Sequence, residues 1–110
     1  MECIDQLDGN VIVCDAQANV IYMNEKAITH YAKDGGADLI GRNLLDCHSE
    51  RSREKIWEIM TTHQKNVYTI EKKGKKKIIY QTPWMNGEVF KGIIEFSFEI
   101  PFEIPHYVRS

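Results

Sequence analysis

The run Ile93-Ile94-Glu95-Phe96-Ser97-Phe98-Glu99-Ile100 constrains the fold more than any other stretch. Ile94, Phe96, Phe98 and Ile100 share one face of an extended chain, and Ile93, Glu95, Ser97 and Glu99 share the other, a two-residue period that a helix cannot accommodate. The run is expected to be a strand that buries its Ile94, Phe96, Phe98 and Ile100 side against a core. Two more strands are read in Val67-Tyr68-Thr69-Ile70 and Ile78-Ile79-Tyr80-Gln81-Thr82. They are joined by turns at Lys72-Lys73-Gly74-Lys75 and at Asn86-Gly87, a dipeptide that tolerates the positive φ of a tight hairpin. Pro101 and Pro105 stop the pairing.

The amino-terminal half opens on another strand pair. Residues 11–15 (Val-Ile-Val-Cys-Asp) and 20–23 (Val-Ile-Tyr-Met) are β-branched or aromatic runs on either side of Ala16-Gln17-Ala18-Asn19, a hairpin. Asn24 before Glu25-Lys26-Ala27-Ile28 is a helix start, which Asp34-Gly35-Gly36 ends. Residues 38–46, around Gly41, carry one or two helical turns. Ser49 caps a longer helix over about 50–63, in which Ile56, Ile59, Met60 and His63 recur at the spacing of one buried face. This order predicts an α+β domain with one antiparallel sheet and helices on a single face.

The 110 residues suit one domain, with its core at about 7–100 and a tail at 101–110. A content of 43% hydrophobic and 27% charged residues is that of a chain that folds unaided. The longest apolar runs, at 11–14 and 20–23, fall far short of the ~20 residues that span a bilayer. Met1-Glu2-Cys3-Ile4-Asp5 lacks the basic start and apolar stretch of a secretory signal, so a cytoplasmic setting is expected, for a whole protein or a piece of one. A formal charge of −2 supplies no field that would gather nucleic acid or membrane, and the lysines at 72–77 are expected to be a solvated hairpin tip. Cys3, Cys14 and Cys47 form no C-x-x-C pair, which excludes a disulfide framework or a zinc knuckle.

Three groups of residues together resemble a PAS domain over nearly the whole chain: residues 8–15 ending in Asp15, residues 19–24 ending in Asn24 and leading to Ala27, and Leu39-Ile40-Gly41-Arg42-Asn43-Leu44-Leu45-Asp46 followed by His48. The resemblance implies a five-stranded antiparallel sheet of order 2-1-5-4-3, with helices enclosing a pocket against its concave face. It implies a sensory or regulatory module and not an enzyme, in keeping with a sequence that has no G-x-S-x-G, phosphate-binding glycine loop or H-E-x-x-H. Small-molecule binding or a signalling protein partner, transmission through the sheet, and a homodimer follow as expectations, in transcription regulation or two-component signalling. With only about six residues before Leu7, the outer sheet face is expected to stay uncovered and to associate with a second copy, helped by residues 102–107.

The candidate pocket residues are Ile12, Cys14, Met23, Cys47, His48, Trp57, Met60 and Phe96, with Trp84 as a further aromatic. The family's flavin photosensors place a cysteine directly after Gly-x-Asn, whereas Leu44 follows Gly41-Arg42-Asn43, so covalent flavin is not expected. Its haem sensors draw a ligand from the long helix, whose first turns here read Arg53-Glu54-Lys55-Ile56. The alternative is a haem or redox cofactor held by Cys47 or His48; no other metal is expected. The plainer role for His48 is in the loop before the helix, and for His63 at the helix end.

Overall fold

The structure, a computed structural model, describes residues 2–47 and 50–110. Its strands are β1 Asn10–Asp15, β2 Val20–Met23, β3 Asn66–Lys72, β4 Lys75–Asn86 and β5 Val89–Ile100. They form one antiparallel sheet in the order β2-β1-β5-β4-β3, so the last strand lies in the middle. The helices are α1 Glu2–Asp5, α2 Glu25–His30, α3 Leu44–Cys47 and α4 Glu50–Thr62, with 3-10 turns at Ala32–Asp34 and Gly36–Leu39. Asp46 lies in α3, outside the long helix. The expected Ser49 cap falls outside the described residues, as does His48.

Local chemistry explains the amino-terminal turns. Asp15 accepts hydrogen bonds from the Gln17 and Asn19 amides, both at 2.9 Å, closing the β1–β2 hairpin around Ala18, whose φ is 68°. Asn24 caps α2 by accepting from the Ala27 amide at 3.1 Å. Gly41, at φ 97°, turns the chain so that its amide reaches the Val20 carbonyl at 2.7 Å.

The core lies between the helices and one sheet face. Cys14 and Ile93, which pair across β1 and β5, bury with Ala18 and with Ile56 and Ile59 of α4. Val20, Met23 and Ala27 form a second cluster, with Ile12 packed on it. Leu44 touches both clusters.

This packing reverses the expected facing of β5. Ile93 is 6% exposed and points to α4, so alternation along the strand sends Ile94, Phe96, Phe98 and Ile100 to the opposite, outer face. There Phe96 pairs with Val11 and Tyr80, and stacks on Phe98 with centroids 5.9 Å apart. Period-two patterning fixes which residues share a face but not which face meets the helices. The α1 turn takes up part of the outer face, which was expected to be bare: Asp5 accepts from the Tyr22 hydroxyl, and the Ile4 carbonyl accepts from Asn24 Nδ2 at 3.2 Å.

Candidate functional site

The polar stripe of β5 thus lies on the helix side, and beside α2 that face is open. A cleft of about 300 Å³ is bounded by Thr29 and His30 of α2, Asn10 of β1, Lys77 of β4, and Ser97 and Glu99 of β5. Asn10 pairs with Ser97 and Lys77 with Glu99, so one parity of the ladder builds the whole wall. At its rim Lys26 and Asp8 form a solvent-exposed ion pair of 2.7 Å. Glu99 lies 3.9 Å from Lys75. Among the described residues Lys77 has no ion-pair partner. Burial first, then the charges of Lys77 and Lys72, hold the His30 imidazole below its ordinary 6.5, with Asp34 opposing.

Further along the same face one residue from each of three strands joins a hydrogen-bonded row. Asn66 Nδ2 donates to Gln81 Oε1 at 3.0 Å, and Gln81 Nε2 donates to Glu95 Oε2 at 2.8 Å. The row fixes both amide orientations and leaves Glu95 Oε1 outside it. Burial, and next the negative charge of Glu95, push the Tyr31 phenol up to about 12, and raise that of Tyr68 for the same two reasons. Both phenols therefore remain neutral O–H donors near neutral pH. Such a surface has the hydrogen-bond donors, acceptors and charge that could orient a small polar molecule. Among the described residues no group of three His, Cys, Asp or Glu side chains could hold a metal ion.

The Tyr31 environment has a pH consequence. A phenol raised from 10.0 in the unfolded chain to about 12 in the fold contributes stability that is fully present below pH 10.0 and is lost as pH rises toward about 12. Tyr31→Phe should abolish that part of the alkaline loss, as measured by urea midpoints across this range. An unchanged alkaline profile would show that Tyr31 is not held there.

No family model and no curated protein matches the chain significantly. Solved structures do. The sensory box sensor histidine kinase from Vibrio cholerae superposes with a TM-score of 0.67 over 92% of this chain and 89% of that one, at 14% identity. The PAS domain of the histidine kinase ThkA gives 0.67 over 83% and 98%, at 15% identity. The chain has the PAS fold. The receptor VqmA from Vibrio cholerae gives 0.69 over 99% of this chain at 17% identity, and the match spans 55% of the VqmA chain.

Within this PAS fold the sequence-predicted pocket residues divide. Ile12, Cys14, Met23 and Met60 lie on the helix side, where Cys14 and Met23 are buried and Ile12 and Met60 pack at the edges of the two clusters. Burial pushes the Cys14 thiol up, so it remains a neutral packing group. Phe96 is on the outer face and leaves the pocket set. Trp57 leaves it too: it is 58% exposed, because the step after Ile56 rotates a helical side chain about 100° away from the buried stripe. Trp84 is 36% exposed on β4. Cys47 ends α3, and His48 lies outside the described residues. His63 is exposed and stacks on Phe90 with centroids 4.9 Å apart. Sequence reasoning missed His30, Tyr31, Lys77, Gln81, Glu95 and Ser97. Their signal was the polar parity of the sheet, which reads as solvent-facing until the helices are placed.

Proposed function

We propose that this PAS-fold chain is a non-enzymatic sensory or regulatory module that binds a small molecule on the concave face of its sheet and acts as a homodimer. One observation carries the ligand reading: the helix-facing side of the central strands bears an open cleft and a hydrogen-bonded Asn66–Gln81–Glu95 row where an ordinary core would be apolar. The fold neighbours support it. Two are histidine kinase sensor domains, and VqmA is described as a dimer and in a form bound to DPO. Native mass spectrometry of freshly purified protein is expected to reveal a bound molecule that Glu95→Ala releases. A bare-chain mass, combined with no thermal shift across a metabolite panel, would overturn the reading. The haem alternative falls on the Cys47 side chain and His48, which lie outside what the structure describes.

The dimer rests on the outer face. Ile94, Phe96, Phe98 and Ile100 line β5 there as half-buried side chains, next to Ile78 and Tyr80 of β4. In the tail, Phe102, Ile104 and Tyr107 are 54, 55 and 70% exposed. A second copy covering this surface would remove both apolar sets from water. Sedimentation equilibrium at micromolar concentration is expected to show a mass that rises with concentration, and Phe96→Ala to weaken association about tenfold or more. A clean monomer throughout would end the dimer proposal.

A further inference from the structure

The charges of the cleft select among ligands. Five charged or titratable side chains border it: Asp8, Lys26, His30, Lys77 and Glu99. Asp8 is neutralised by Lys26 at 2.7 Å, and Glu99 lies nearest Lys75, at 3.9 Å. That leaves Lys77, beside His30 and opposite Glu99 in the β4–β5 ladder, as the cleft cation with no ion pair among the described residues. The neutral donors next to them are the Ser97 and Thr29 hydroxyls and the Asn10 amide. Across the ladder the chain keeps adding positive charge: Lys72 pairs with Lys75 at the hairpin end and has the same facing as Lys77. A volume of about 300 Å³ is at the small end of ligand sites, enough for a compact metabolite and too little for a polymer.

We propose that the cleft between α2 and the start of β4 binds a small anion, a carboxylate- or phosphate-bearing metabolite, whose charged group sits between Lys77 and His30 and accepts hydrogen bonds from Ser97 and Thr29. The inference rests on the reading of the concave face as a ligand site and names the ligand class. An ammonium ligand is disfavoured, because both carboxylates at the cleft already have lysines beside them. The surroundings of His30 agree with an anion. Burial is the first cause that holds its imidazole below the ordinary value; Lys77 and Lys72, facing it from the β3–β4 hairpin, add to that lowering, and Asp34 in the following 3-10 turn opposes it. An anion seated on Lys77 cancels that field and lets the imidazole protonate more readily.

The test is a proton NMR titration of the His30 ring, assigned with His30→Asn, in the full chain with inorganic phosphate or succinate, each against sodium chloride at matched ionic strength. The expected result is a saturable upward displacement of the His30 titration by phosphate, by succinate or by both, with a Kd on the order of 1 mM for such bare probes. Lys77→Gln should weaken it about tenfold. The probe that saturates first identifies the source as phosphate or carboxylate. Equal displacement by chloride, no saturation, or a Lys77→Gln response equal to wild type would overturn the anion site. Because Lys77 is partly exposed at the cleft wall, its substitution should leave the far-ultraviolet spectrum intact. A failed titration alongside a co-purified uncharged molecule on native mass spectrometry would refute the anion class while leaving the sensory reading standing. Failure of both would remove the ligand reading altogether.

Discussion

Replacing Asn24 by Ala should destabilise the fold by roughly 3 to 5 kcal/mol, a large share of the ~5 to 15 kcal/mol available to a small domain. Asn24 is 0% exposed, and its side chain makes four hydrogen bonds. Oδ1 accepts from the Val11 amide at 3.0 Å and from the Ala27 amide at 3.1 Å, while Nδ2 donates to the Gly9 carbonyl at 2.8 Å and the Ile4 carbonyl at 3.2 Å. One amide group thus ties α1, the turn before β1, β1 itself and the first turn of α2. Alanine would leave two buried donors unpaired, each at ~1 to 3 kcal/mol, and would release α1. Asn24→Ser, which can still accept from Ala27, should cost less than alanine. Urea unfolding is the measurement, and a midpoint for Asn24→Ala equal to wild type would refute the hub.

The same residue shows how far the sequence carries. An Asn before Glu25-Lys26-Ala27 announces a helix cap because capping is local: three residues decide it, and the structure has that cap. The strands were legible for the same reason, since β-branched and aromatic runs bounded by Gly and Asn depend only on their neighbours. What Nδ2 of Asn24 does was not legible, because its partners, the Ile4 and Gly9 carbonyls, lie far back in the chain and reach it only in the folded molecule. The facing of β5 failed on similar grounds. Its alternation is unambiguous, yet both faces of a central strand can be half-covered, and here the apolar stripe is the outer one. Glu95, Ser97 and Glu99 look solvated in one dimension. Only the β1–β5 register, which pairs Cys14 with Ile93, turns them to the helix side, where Ser97 and Glu99 line the cleft. That Cys14, Met23, Ile12 and Met60 pack in or against the core was legible because burial follows hydrophobicity, whereas Lys77 and His30 are separated by more than forty residues and meet only through the sheet order.

Gly92→Ala should be at least as damaging, costing about 3 kcal/mol or more and possible only with a local rearrangement of the sheet. Gly92 is buried in β5, where it pairs with Asp15 on one side and Trp84 on the other, next to the irregularity between Trp84 and Met85. Its φ is 156°, and a Cβ there would be driven into the Cys14 carbonyl oxygen, with the carbonyl carbon 2.9 Å away. The obstacle is backbone, which cannot swing aside as a side chain could, so relief requires β1 and β5 to part. Parting them also disturbs Cys14 and Ile93, the cross-strand pair at the centre of the α4 cluster. Gly87→Ala provides the contrast. It too has positive φ, 62°, but a Cβ there meets nothing within 4 Å, so its cost is the left-handed backbone alone, about 1 to 2 kcal/mol. The two variants separate steric closure of the sheet from simple backbone strain, and urea midpoints measured side by side give the difference. Equal losses for Gly92→Ala and Gly87→Ala would mean that the β1–β5 approach is looser than the register requires, and that the wall formed by Asn10 and Ser97 is correspondingly free to shift.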